Sequence, residues 1–127
     1  MKTIKELHEK AMDLAEFAFV AKIRGKLAKA EKLFRQAFES ESQAARLVPN
    51  NPSSELTRSV LYRSAATLAL DCNEFCEAEQ LITEGLASNP PPEIEQELRE
   101  LYEQIKKQAV SVEPISVKPQ EPTQVAN

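Results

Sequence analysis

An all-α fold is what the sequence predicts, on three observations. The helix-favouring residues Ala, Leu, Glu, Lys, Gln and Arg dominate its 127 positions, whereas aromatics make up 6% and tryptophan is absent. The eight prolines fall together, at 49 and 52, at 90 to 92, and at 114, 119 and 122, so they divide the chain into segments. Within those segments apolar residues recur at intervals of three and four, the period of a helix. The length suits one small domain, placed at residues 1–110 and followed by a Pro-rich tail, 111–127.

Ile4, Leu7, Ala11, Leu14, Ala18 and Ala21 share one stripe and predict a first helix over about residues 3–24. Gly25 stands where such a helix would end in a left-handed residue. A new stripe, Leu27, Ala30, Phe34, Ala37, Ala44 and Leu47, predicts the second helix, and Asn50-Asn51-Pro52 a turn. Ser53 and Ser54 supply hydroxyls to cap a third helix carrying Leu61, Ala65, Leu68, Ala69 and Cys72. After a polar break at 71–74, Phe75, Ala78, Leu81, Ile82 and Leu86 mark a fourth, stopped by Asn89 and three prolines. Ile94, Leu98, Leu101 and Ile105 mark a fifth that fades near Ala109. The tail is too poor in large apolar residues to pack and is expected to be disordered.

Part of this pattern resembles the tetratricopeptide repeat. Tyr62-x2-Ala65-Ala66-x2-Ala69, then Ala78-x3-Ile82, then Pro90, follow its succession of large and small residues. Leu14-x2-Phe17-Ala18-x2-Ala21 and Ala30-x3-Phe34 repeat the spacing upstream, with Ser42 in place of the proline. The offset from Ala30 to Ala78 is 48 residues, against about 34 in the family. The surplus, about four helical turns, divides evenly if helices two and three are both lengthened. Two repeat-like hairpins over residues 11–90 result, and the bulky Tyr102 makes the last helix a cap rather than a third repeat.

The resemblance implies that the first helix of each hairpin lines a concave, partner-binding face. That face would offer Met12, Ala15, Phe19 and Lys22 from helix one, and Val60, Arg63 and Thr67 from helix three, with Phe19 as anchor. Ala15, Phe19 and Ser64 stand where the family's carboxylate-clamp members place Lys and Asn, so chaperone C-terminal tails are not the expected ligand.

The net charge of −4 is the sum of two unlike halves: residues 1–63 carry +4 and residues 64–127 carry −8. The basic excess gathers around the first turn at Lys22, Arg24, Lys26, Lys29, Lys32 and Arg35, opposed there by Glu31 alone. Such a patch suits an acidic peptide, a phosphate or the acidic half of a second copy. Nucleic acid is not expected as a partner, because aromatic residues do not interleave with the cations and the overall balance is acidic. Nor is a membrane, since no apolar run approaches the roughly 20 residues of a span. The charged N-terminal stretch lacks a secretory core, which makes the cytosol the expected compartment.

Catalysis, metals and cofactors are not expected. Cys72 and Cys76 form a single close pair, the one histidine, His8, is far away in sequence, and two glycines cannot build a phosphate-cradling loop. His8, between Glu6 and Glu9, reads as an exposed surface residue. The function expected is a non-enzymatic module that binds a peptide or helix of a partner protein. The alternative is a homo-oligomer, possible as a dimer, joined through its basic and acidic halves.

Overall fold

Thr3 fixes where the first helix begins. Its hydroxyl accepts the Glu6 N–H at 3.1 Å while the Glu6 carboxylate accepts the Thr3 N–H at 2.9 Å, a reciprocal capping box. The computed structural model describes residues 2–117. Its elements are α1 (Ile4–Ile23), α2 (Leu27–Leu47), a short 3-10 turn (Pro52–Ser54), α3 (Glu55–Asp71), α4 (Phe75–Leu86) and α5 (Pro92–Val117). Among the described residues there are five α-helices and no strand, the all-α fold the sequence predicts.

Two details differ from the sequence reading. The cap ahead of α3 is Asn51, whose side-chain oxygen accepts the Ser54 N–H at 3.0 Å and the Ser53 hydroxyl at 2.9 Å. An asparagine before Pro52 reaches the free amides of the 3-10 turn, which the serines inside that turn cannot do. The backbone of α5 also continues to Val117, past the end expected near Ala109. The helical backbone runs through Pro114 even though a proline there removes one hydrogen bond and crowds the preceding turn. Residues 118–127 of the expected disordered tail lie outside the described residues.

The two hairpin turns are built alike, 48 positions apart. After α1, Gly25 adopts φ +78°, the Lys26 N–H bonds Ala21 O at 2.9 Å, and the Gly25 N–H bonds Lys22 O at 3.0 Å. After α3, Asn73 adopts φ +63°, the Glu74 N–H bonds Ala69 O at 2.8 Å, and the Asn73 N–H bonds Leu70 O at 3.0 Å. Both are Schellman caps, which close the last carbonyls of a helix and send the chain straight back. Only glycine, or asparagine with its short polar side chain, enters that left-handed conformation readily.

The chain therefore folds as consecutive hairpins, with α2 lying against both α1 and α3, and α5 against α4 and α3. Half of the buried apolar residues are alanine, twelve in all. They line the seams between helices, so the backbones come close and the larger fillers are few: Leu7, Val48, Leu61, Tyr62, Leu81, Ile82 and Leu98 around α3, and Phe34 with Leu68 toward the first turn. The tightest approach is at Gly85, where a Cβ would lie 3.0 Å from Tyr62 Cβ and 3.1 Å from Leu98 Cδ1. A hydrogen there lets α3, α4 and α5 meet.

Polar side chains tie the outer edge of the same region. Arg46 of α2 donates to both oxygens of Glu84 on α4, at 3.1 and 3.2 Å. The guanidinium of Arg58 lies 5.1 Å from the centre of the Tyr62 ring and hydrogen-bonds the buried Ser88 hydroxyl. Burial by itself would raise the Glu84 carboxyl, but hydrogen bonds from Arg46 and Tyr62 outweigh it and hold the group below the ordinary carboxylate range.

Two outcomes follow from this packing. Gly85→Val forces methyl groups against Tyr62 and Leu98 and is expected to cost about 1–3 kcal/mol in urea unfolding. Because Glu84 ionises more easily folded than unfolded, its contribution is complete above the ordinary carboxylate value of 4.5 and is lost as pH falls through its folded value. In acid titrations of stability, Glu84→Gln should therefore flatten the decline below pH 4.5 relative to the wild type.

Candidate functional site

Helix α1 turns its alanines inward together with Leu7, Ile4 and Leu14, and turns the large apolar residues of its second half outward. Apart from Leu7, its buried residues are Ala11, Ala15, Ala18 and Ala21. Met12, Phe17, Phe19, Val20 and Ile23 stay exposed, with Phe17 at 63% and Ile23 at 84%, and Leu27 just past the turn is 65% exposed. Each large side chain left outside forgoes about 1.5–3 kcal/mol if it would otherwise be fully buried. Around this apolar cluster stand the cations of the first turn.

The hairpin of α1 and α2 has two sides. On the side shared with α3, His8 Nδ1 lies 2.9 and 3.0 Å from the two carboxylate oxygens of Glu41, which is fully buried. The sequence reading of His8 as a plain surface residue is thus corrected, because the bonding partner sits 33 residues away on the next helix. Further along, the Phe19 ring packs edge-on against Phe34 with centroids 5.1 Å apart. Lys22 then shares a recess of about 300 Å³ with Leu27, Glu31, Phe34, Asp71 and Asn73. Desolvation raises the Asp71 carboxyl, against the pull of the Lys22 charge.

The seven residues expected on a concave face do not form one pocket. Met12, Phe19 and Lys22 lie exposed along α1, whereas Ala15 is 8% exposed and belongs to the core, so it offers a partner no surface. Val60 of α3 is half-buried against the larger core cluster. Arg63 is engaged by Glu97 of α5, and the Thr67 hydroxyl donates to the Arg63 carbonyl at 3.0 Å. Those two line a separate polar recess with Glu97, Glu100, Leu101 and Gln104. Distance along the array separates the two groups, since α2, not α3, is the main neighbour of α1.

The basic patch also divides. Arg35 bonds Glu74 at 2.9 Å, Glu31 at 3.2 Å and the Cys72 carbonyl at 3.3 Å, which makes it a strut between α2 and the second turn rather than a free cation. Arg24, Lys26 and Lys29 face the other side of the hairpin, where they line a groove of about 340 Å³ with Phe17, Val20, Ala21 and Leu33. Lys32 is exposed beside it. Sequence reasoning did not single out the exposed Phe17 and Val20 or the half-buried Leu33, because the repeat resemblance directs attention to the opposite side of α1. The signal was the alanine stripe at 11, 15, 18 and 21, which already fills the buried side of α1.

Among the described residues no three His, Cys, Asp or Glu side chains converge as a metal site. Cys72 is buried, and desolvation pushes its thiol up to about 11, while Cys76 is exposed. No described helix is long and apolar enough to cross a membrane. No family model, curated protein or solved structure matches the chain.

His8→Ala strands the Glu41 carboxylate in the core without its hydrogen-bond partner. The expected loss is about 1–3 kcal/mol by urea unfolding, and adding Glu41→Gln should recover part of it.

Proposed function

We propose that this chain is a non-enzymatic interaction module, a scaffold similar to tetratricopeptide hairpins, that docks a peptide or helix of a partner protein. One observation carries the reading: α1 buries alanines and leaves Phe17, Phe19, Val20 and Ile23 in solvent. A helix stabilising only its own domain would place them the other way round, and large apolar side chains left exposed beside charge are typical of docking sites. The scaffold part of the proposal draws on the two turns spaced 48 residues apart and on the matched small residues beside them, Ala18 with Ala66 and Ala37 with Gly85. The docking surface favoured is the second half of α1 and the turn after it, in place of a concave face shared with α3.

Affinity capture from lysate with the wild type and with Phe17→Ser/Val20→Ser tests the reading. Both side chains are exposed, so the variant should melt like the wild type. Proteins retained by the wild type and lost by the variant are expected. An identical set from both would overturn the proposed surface.

A further inference from the structure

The outer groove of the first hairpin has a definite layout. Phe17, Val20 and Arg24 stand at i, i+3 and i+7 on α1, and Lys26, Lys29 and Leu33 at the same intervals on α2. Because the helices run in opposite directions from the turn at Gly25, the two rows meet as mirror images. Arg24 and Lys26 stand at the turn, and Phe17 and Leu33 lie two helical turns further in. The groove is thus cationic at one end and apolar at the other, with the small Ala21 in its floor. A separate recess of about 340 Å³ lies nearer the far end of the hairpin, lined by Lys2, Lys10, Gln36, Glu39 and Ser40 among others.

Among the described residues no carboxylate pairs with the cationic end. Arg24, Lys26 and Lys29 make no ion pair among the described residues, whereas Arg35, Arg46, Arg63 and Arg99 all do. An uncompensated group of cations next to desolvable apolar side chains selects a ligand carrying both carboxylates and bulky apolar groups. The form of the site selects a helix. Anchors on a ligand helix recur every three or four residues, which matches Phe17 and Val20, and a groove between antiparallel helices is open along its length. A bilayer has no side chain to fill a recess, and on this chain's own α5 Glu95, Glu97 and Glu103 are already paired.

We infer that the outer α1–α2 groove receives an acidic amphipathic helix of a partner protein, an apolar side chain lying among Phe17, Val20 and Leu33 and carboxylates held by Arg24, Lys26 and Lys29. The inference rests on the docking function proposed above and narrows it to one groove and one ligand class.

A display library of random 16-mer peptides selected on the folded full chain is the test. Enriched peptides are expected to carry excess Asp and Glu with large apolar residues at helical spacing. They should bind about tenfold or more weakly to Lys26→Glu/Lys29→Glu, and the difference should shrink in about 0.5 M salt. Circular dichroism and thermal melting of the variants keep the readout separate from unfolding. Enriched peptides that are neutral or basic, yet lost with Phe17→Ser, would overturn the acidic class while leaving the docking function standing. Peptides indifferent to Phe17→Ser and to the charge reversals would overturn both. Failure of any peptide to enrich also overturns the inference. So does dimerisation abolished by the charge reversals, or binding of the wild type to phosphatidylserine vesicles in place of peptides.

Discussion

Close approach of helices along alanine seams is the constraint on which the rest of this structure depends. Burying an alanine removes little apolar surface, so each contact contributes modestly, but it lets neighbouring backbones draw together and multiply dispersion contacts. Twelve alanines in the core and the glycine at 85 permit this along α1, α2, α3 and α4. Large side chains such as Tyr62 and Leu98 are admitted beside the seams where a still smaller residue, Gly85, makes room for them. A core filled with small groups leaves the other bulky residues of α1 without an interior place, which is why the apolar surface and the fold have a common origin.

The turns make the same point at the level of the backbone. Gly25 and Asn73 each close a Schellman cap, and the helices that follow start one residue after Lys26 and Glu74. With such short reversals, neighbouring helices must pack face to face over most of their length, and only small residues tolerate that. A residue unable to hold the left-handed conformation would lengthen the turn and shift the register of the alanines behind it.

Much of the fold was legible in the sequence because it is written in local terms. Helical periodicity, the proline clusters and Gly25 suffice to place α1 and α2 nearly to the residue, and these signals act over a few positions. What escaped was long-range. The partner of His8 lies on α2, and Arg35 reaches Glu74 across 39 positions. No periodicity within one helix reports either contact. The outer groove escaped for a different reason: the stripe Ile4, Leu7, Ala11, Leu14, Ala18 and Ala21 marks the inner side of α1, but nothing in it reports which of the remaining apolar residues the second helix leaves beside a groove.

Charge is sorted by the same geometry. The second turn brings Asp71 and Glu74 up to the side of the first hairpin that faces α3, where Glu74 bonds Arg35 and the Asp71 carboxyl feels the Lys22 charge. Of the six cations clustered around Gly25, Arg35 is thereby committed to holding the hairpins together. Arg24, Lys26 and Lys29 are left on the outer side beside Phe17, Val20 and Leu33, so the basic excess seen in the sequence becomes a one-sided feature only once the chain has folded. Its one-sidedness, more than its net value, gives the groove a preferred ligand, since the field of a solvated cation fades over about 10 Å at moderate salt.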